Sequence, residues 1–517
     1  MASSLEDDVF EKLKTKADID ELERREKEIN ARVHAQYEKS QQRVAELLGA
    51  NSTLPVTISS IRVLHANNTR RTFLERIFEP LLGANKDRPY TLEGALKDVS
   101  AATDKLNKFD IFKSPISVFI DRTDPADPST TPTDINVYLS AQEKSRYTIK
   151  TGTEAGNAEG SAYASAVLRN VFGGAETLQA YGSLGTRTRS SYSASFDTPI
   201  LSDPGLHFEV GGAGSSTLKP WASHEEFLRG GSARLKWTSP SGQHRHDLAY
   251  SGSWRQITGL ASTASPTVRA DAGDSFKASL AHTYALDRRD YPLLPSRGYY
   301  LRSTTELAGV GPLGGDVGFA KLDVESQAAA PLPAGAALTA GLRGGLLYPL
   351  AVGRWNPAAG HPEPSRLPDR FQLGGPTDVR GFRLSGLGPR DGPDAVGGDV
   401  YAAAGASLLL PFPRVGAAAP LRFQAFVNGG RLLALQPPPG GKPDGGAPLT
   451  GGDVARGVKA ALRELRDGGL PSCAAGVGIV YAHPAARFEV NFSLPLVLRR
   501  GEEARKGVSF GIGASFL

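Results

Sequence analysis

From Arg487 to Leu494 apolar and polar residues alternate without a break. Phe488, Val490, Phe492 and Leu494 fall on one side of an extended chain, and Arg487, Glu489, Asn491 and Ser493 on the other. The closing segment repeats the pattern, with Val508, Phe510, Ile512, Ala514 and Phe516 against Gly507, Ser509, Gly511, Gly513 and Ser515. Similar segments recur from Arg146 onward, separated by Gly, Pro, Ser and Asp. They predict strands near 146–152, 159–169, 176–184, 191–197, 205–214, 227–238, 244–257, 274–286, 297–309, 318–330, 336–348, 399–410, 421–430, 473–482, 487–495 and 506–517, sixteen in all. Connections after even-numbered strands are short, as at 238–242, 331–335 and 483–486. The two longest, 349–398 and 431–472, follow the eleventh and thirteenth strands. A meander barrel with short turns on one rim and long loops on the other requires this parity. Alternation by itself leaves two architectures open. A soluble sandwich would bury the apolar face between two sheets, whereas a transmembrane barrel would turn it to lipid and keep the polar face in its lumen.

The N-terminal third reads differently. Residues 1–54 form a charged extension in which Ile19, Leu22, Ile29, Val33, Tyr37, Val44 and Leu47 recur at roughly helical spacing, so it is either a tether or a short partner-binding helix. Residues 55–143 contain, in order, a strand from Val56, a helix over 70–82 with Phe73, Leu74, Ile77, Phe78 and Leu81 on one face, a helix over 91–107 capped by Thr91, and two period-2 segments that pair as a hairpin. This order describes a small α+β domain with two helices on one sheet face. Residues 144–517 are the all-β remainder.

Composition narrows the function classes. Lys and Arg total 59 against 54 Asp and Glu, a near balance with no basic stripe, so no nucleic-acid partner is expected. The single cysteine, Cys473, excludes an intrachain disulfide framework and a Cys-rich metal or iron–sulfur site. No apolar run reaches the length of a membrane-spanning helix, and a mean hydropathy of -0.26 fits a barrel as well as a soluble protein. The acidic start MASSLEDDVFEKLK has neither the apolar core of a secretory signal nor the character of a transit peptide, so membrane targeting is expected to use another signal or one already removed. Enzymatic signatures are missing as well. No GxSxG or HExxH occurs, and GGKP at 440–443 lacks the Ser or Thr of a phosphate loop. His244 and His246 share a strand face but lack a third nearby ligand in sequence, which favours surface or lumen histidines over a metal site. No bond-making enzyme and no cofactor are expected.

The informative stretch is LPDRFQLGGPTDVRGFRLSG at 367–386, inside the first long connection. Gly374, Gly375 and Pro376 permit a tight reversal, and Gly381 after Arg380 lets the backbone approach another wall. An arginine there is either solvated on a surface turn or forked onto a fixed acceptor. Val379, Arg380, Gly381 and Phe382, placed between the eleventh and twelfth strands after a GG turn, resemble the signature loop of the outer-membrane β-barrel assembly family. On the thirteenth strand, Phe426, Asn428 and Gly430 match the family's second motif, Phe-x-Asn/Asp-x-Gly. The resemblance spans 55–517 and implies a sixteen-stranded antiparallel transmembrane β-barrel preceded by one α+β POTRA domain at 55–143. It further implies a lumenal loop whose Arg380 neighbours Asn428.

Within that family, the single POTRA-like unit and the last strand resemble the mitochondrial member. The last strand fits the mitochondrial β-signal pattern in two registers, Arg505, Gly507, Phe510, Ile512 or Ser509, Gly511, Ala514, Phe516. The resemblance therefore implies an insertase of the mitochondrial outer membrane, with the POTRA domain and both barrel ends facing the intermembrane space. Its partners would be unfolded β-barrel precursors, auxiliary subunits of an assembly complex and the lipid bilayer. Its gate would lie between the first strand (Arg146, Tyr147, Thr148, Ile149, Lys150, Thr151) and the last (Gly507, Ser509, Phe510, Gly511, Ile512, Gly513), and a precursor's β-signal would add there as a strand. The glycines of the last strand either loosen its pairing or only relieve crowding in the lumen. An import or secretion channel of the same family, and a soluble all-β binding protein, are the competing readings.

Overall fold

The computed structural model describes residues 28–29, 31–32, 35–36, 38–39, 42–43, 46–84, 90–124, 128, 130–156, 159–309, 314–351, 362–413, 419–435, 450–484 and 486–513. The expected N-terminal helix is helical wherever it is described, from 28 to 50, and its first 27 residues lie outside the described residues. Two compact units emerge, one built from residues up to 67 with 71–144, the other from 68–70 with 145 onward.

The smaller unit runs β1 (Pro55–Leu64), α1 (Arg71–Ala84), β2 (Tyr90–Thr91), α2 (Leu92–Asn107), β3 (Ser117–Arg122) and β4 (Asp134–Ser140). Its sheet order is β2-β1-β4-β3, with β1 parallel to β4 and β3 antiparallel to it. The two-residue β2 escapes periodicity because it is too short to alternate. Thr91 caps α2, its hydroxyl oxygen accepting from the Gly94 N–H at 3.2 Å. Phe73, Ile77 and Phe78 of α1, Val99 and Leu106 of α2, and Val137 and Leu139 of β4 are all buried and make the core. The edge strand β3 is exposed along its whole length, Val118, Phe119 and Ile120 included.

The larger unit is a single sheet of sixteen strands. In chain order these are β5 (Tyr147–Gly156), β6 (Glu159–Arg169), β7 (Thr177–Gly185), β8 (Thr188–Pro199), β9 (Leu206–Lys219), β10 (His224–Thr238), β11 (His244–Thr258), β12 (Gly273–Asp287), β13 (Gly298–Ala308), β14 (Phe319–Pro331) and β15 (Ala337–Pro349). After a two-rung hairpin, β16 (Arg390–Asp391) with β17 (Asp394–Ala395), follow β18 (Val400–Pro411), β19 (Leu421–Leu433), β20 (Ser472–His483), β21 (Ala486–Val497) and β22 (Gly507–Gly513). Every ladder is antiparallel between chain neighbours, and β22 returns beside β5 to close a barrel.

All sixteen expected strands are present, with shifted ends. Arg146 precedes the first strand, which runs on to Gly156. The fifth strand, β9, extends to Lys219 because its Gly- and Ser-rich end keeps the ladder after the apolar alternation has faded. The last strand is described as far as Gly513, and 514–517 lie outside the described residues.

Side-chain burial decides between sandwich and transmembrane barrel. On β21, Arg487, Glu489, Asn491 and Ser493 are at most 5% exposed, whereas Phe488, Val490, Phe492 and Leu494 are 38–48% exposed. β19 repeats this inversion, with Gln424 and Asn428 buried and Phe423 and Val427 exposed. Polar inside and apolar outside is the pattern of a barrel in lipid. No helix among the described residues is long and apolar enough to cross a membrane.

Two connections fill the lumen. The long one after β15 enters from one rim and buries Phe371, Leu373, Val379, Phe382 and Leu387 against inward-facing Leu347, Ala403, Leu432 and Ala474. From the other rim, the 288–297 connection packs Leu294 onto Ala337, Leu409 and Val480. Two further helices sit in connections, α3 (Pro266–Ala270) and α4 (Gly451–Asp467). Helix α4 lies in a stretch expected to be a bare loop. Its capping box pairs Thr450 with Asp453, and Val454, Val458 and Ala461 are buried at helical spacing.

Candidate functional site

The loop carrying the Val379–Phe382 motif reverses at Gly374 and Gly375, whose φ values of 107° and 135° suit glycine. Asp378 holds this reversal, one carboxylate oxygen accepting from the Gly374 N–H at 2.8 Å and the other from Arg343 at 3.2 Å. Burial pushes the Asp378 carboxyl above its ordinary range. Gly381 has φ 86°, and a Cβ there would sit 2.6 Å from the Ala474 side chain, so the loop backbone lies directly against the barrel wall.

Arg380 is 1% exposed. Its Nε donates to Glu489 at 3.0 Å and its Nη2 to the other Glu489 oxygen at 3.4 Å, with the guanidinium 4.8 Å above the Phe426 ring. Asn428 does not take the guanidinium. In the amide orientation that satisfies both groups, its oxygen accepts from the Arg380 N–H at 2.9 Å and its nitrogen donates to the Arg380 carbonyl at 3.3 Å. The two motifs are neighbours, but the arginine's charge is met by Glu489, a residue of neither motif. Gly430 lies inward too, its missing side chain leaving room for Leu373.

Glu489 is the hub of a buried network. It also accepts from Asn491 at 2.7 Å and pairs with Arg487 at 2.5 Å. Arg487 donates onward to Gln424 at 3.3 Å and to the Leu293 carbonyl of the opposite lumenal connection at 3.4 Å. At its other end the loop is tied to the far wall, Asp369 accepting from Arg255 at 2.7 Å.

The same loop also binds the segment that leads into the last strand. The Arg383 N–H donates to the Glu503 carbonyl at 3.1 Å, Glu503 N–H to Gly386 at 2.8 Å, and Arg505 N–H to Gly381 at 2.8 Å, with Phe382 bridging Ala504. A cavity of about 520 Å³ separates loop and last strand, lined by Phe382, Glu489, Ser509, Gly511 and Ile512 among others.

At the seam, Tyr147, Ile149 and Lys150 are exposed on β5, and Val508 and Phe510 on β22, while Gly511 is buried. Thr148 accepts from Arg169 at 2.7 Å, and Arg146, before the strand, donates to the carbonyls of Asn170 and Val171. β5 and β22 lie side by side, yet among the described residues no ladder joins them.

The remaining candidates lie elsewhere. His244 stacks with Tyr284, and His246 meets His282 at 3.2 Å, on the face that also carries the exposed Leu248. The described residues hold no group of three metal-ligating side chains. Cys473 is free, and 440–443 lie outside the described residues.

Residues 170–516 match the Omp85 superfamily domain. The chain belongs to the Omp85 superfamily. A SAM50-like protein of Schizosaccharomyces pombe is 37% identical over 497 residues, covering 95% of this chain and 97% of its own. The sorting and assembly machinery component 50 homologs of Xenopus tropicalis and Homo sapiens are 34% and 33% identical over 420 residues, 80% of this chain and 82% of theirs. Among solved structures, BamA from Haemophilus ducreyi lacking POTRA domains 1–3 superposes with a TM-score of 0.66 at 14% identity, over 89% of this chain and 84% of that one, and shares the fold. This Omp85 barrel is thus of the core SAM type, an integral protein of the mitochondrial outer membrane serving β-barrel assembly, and it is not an enzyme.

Proposed function

We propose that the barrel inserts precursors through a lateral gate between β5 and β22, where a precursor's terminal β-signal adds as a strand. The observation that carries this reading is the seam itself. Fifteen strand pairs are laddered and the sixteenth junction is not, among the described residues. In hydrocarbon an unpaired backbone group costs several kcal/mol, so a nascent strand needs a partner edge before it enters lipid. Tyr147 to Thr151 on one side and Gly507 to Gly513 on the other offer that edge, and hydrogen bonds are exchanged as the precursor zips in. Gly507, Ser509, Gly511 and Gly513 leave the lumenal side of β22 nearly bare, which favours twisting and weak pairing. Arg380, Gly381 and Phe382, with Phe426, Asn428 and Gly430, hold the loop that steadies β22. The chain's partners are unfolded barrel precursors, auxiliary subunits of an assembly complex and the bilayer.

The unit at 55–143 acts as a POTRA domain, its exposed edge strand β3 receiving extended precursor segments before handover. A polypeptide channel is the weaker reading, because lumenal connections from both rims pack the interior.

The test is a reconstituted assay with an unfolded precursor bearing one cysteine in its terminal strand. During insertion it crosslinks to cysteines at Thr148 or Ile149 and not to lumenal positions of β12. Crosslinks confined to the lumen would favour the channel. Deleting 55–143 slows insertion while the barrel stays embedded.

A further inference from the structure

On the long-loop rim, within the barrel unit, lies a second cavity of about 1010 Å³ that the gating reading does not use. Arg187 of the β7–β8 turn, Arg383 and Arg390 of the lumenal loop, and Arg505 and Lys506 at the start of β22 all line it. A single carboxylate, Glu503, faces them, and it is shared by Arg390 at 3.0 Å and Arg383 at 3.4 Å. Trp221 closes one side, with Arg187 5.9 Å and Lys219 5.6 Å from its ring centroid. Five cations against one anion leave a strong excess of positive charge in one concavity. Water and salt would screen such charges on a flat surface, but a cleft concentrates their field.

The geometry points to a binding site for a phosphate anion, supplied by the headgroup of an anionic phospholipid. Forked guanidinium groups match phosphate oxygens, and arginine, lysine and tryptophan together are the side chains that sit at headgroup depth. The source follows from the position. Arg505 and Lys506 lie just ahead of Gly507 and the exposed, lipid-facing Val508 and Phe510, beside a seam without a ladder among the described residues, so a lipid at the seam meets the cations with its headgroup. The site stands on the cavity and its charges and not on the gating reading.

The experiment is native mass spectrometry of the full-length protein titrated with short-chain phosphatidylglycerol, short-chain phosphatidylcholine and inorganic phosphate. Phosphatidylglycerol binds tightest. Arg505→Gln with Lys506→Gln weakens it by about fivefold per cation removed, roughly 30-fold together. Glu503→Gln strengthens it, a gain that a misfolded variant would not show. Equal binding of phosphatidylcholine, or a titration indifferent to both variants, overturns the site. Inorganic phosphate binding as tightly as the lipid overturns the headgroup assignment. Seam crosslinking tests gating separately, since loss of the crosslinks leaves this site standing and loss of phosphatidylglycerol binding leaves the gate standing.

Discussion

β21 and β22 reach the seam with heavy support, whereas β5 and β6 reach it almost bare. On the C-terminal side, the lumenal face of β21 is clamped by Arg380 and Asn491 on Glu489, and the segment entering β22 is hydrogen-bonded to the loop at 381–386. Its lipid face carries Phe488, Val490, Phe492, Val508 and Phe510. On the N-terminal side, the lipid face carries Tyr147 and Ile149 on β5 and thins on β6 to Leu168 and three alanines, Ala162, Ala164 and Ala166, and among the described residues no hydrogen bond or ion pair ties β5 or β6 to the lumenal loop. Fewer contacts mean a lower cost of local opening. Under the proposed gate, the contrast makes the C-terminal edge the fixed template and the N-terminal edge the part expected to move.

The largest effect belongs to Glu489. Glu489→Ala leaves Arg380 and Arg487 both buried without their carboxylate, at a cost of about 3–5 kcal/mol, so the folded band on semi-native gels is lost at much lower temperature. Arg380→Ala costs less, about 1–3 kcal/mol, because Glu489 keeps Arg487 and Asn491. Equal heat shifts for the two would dissolve the clamp. Gly381→Ala comes next at about 1–2 kcal/mol for the left-handed backbone, with added crowding against Ala474 that Ala474→Gly relieves in part. On the bare side, Ile149→Ala moves the heat shift by no more than about 0.5 kcal/mol. It alters the insertion rate nonetheless, and a loss of stability matching Arg380→Ala would erase the asymmetry.

The smallest effect lies in the β16–β17 hairpin. Asp391 accepts from the Thr267 hydroxyl at 2.7 Å and the Thr267 N–H at 3.0 Å, and these bonds hold its carboxyl below the ordinary range. A depressed folded pKa contributes stability above the ordinary carboxylate value that is lost as pH falls through the folded one. Asp391→Asn is therefore slightly less heat-stable than the parent at pH 7 and indistinguishable from it in strong acid, with insertion unchanged.

Much of the barrel was legible because lipid on one side and lumen on the other impose a strict two-residue period, so β21 could be read from its residues alone. Strand ends such as Ser215 to Lys219 were hidden where small residues carry the ladder without alternation. Helix α4 had a readable signal in Thr450, Asp453 and the Val454, Val458, Ala461 spacing, but the surrounding Gly and Pro masked it. The loop motif was found by its glycines and arginine. Its partner Glu489 was visible as one polar residue among four on its strand face, and nothing in a linear pattern states which of them a loop more than a hundred residues away will meet. The pairing of 381–386 with 503–505 is a backbone contact and leaves no side-chain signature.

The most direct measurement of the moving seam is a reversible lock. Thr148→Cys is combined in turn with Ser509→Cys and Gly511→Cys in a Cys473→Ser background, since only pairs with Cα atoms within about 7 Å bridge. A bridged pair is predicted to stop precursor insertion while the folded band persists, and reduction is predicted to restore it. Full insertion with the seam demonstrably bridged would contradict lateral gating.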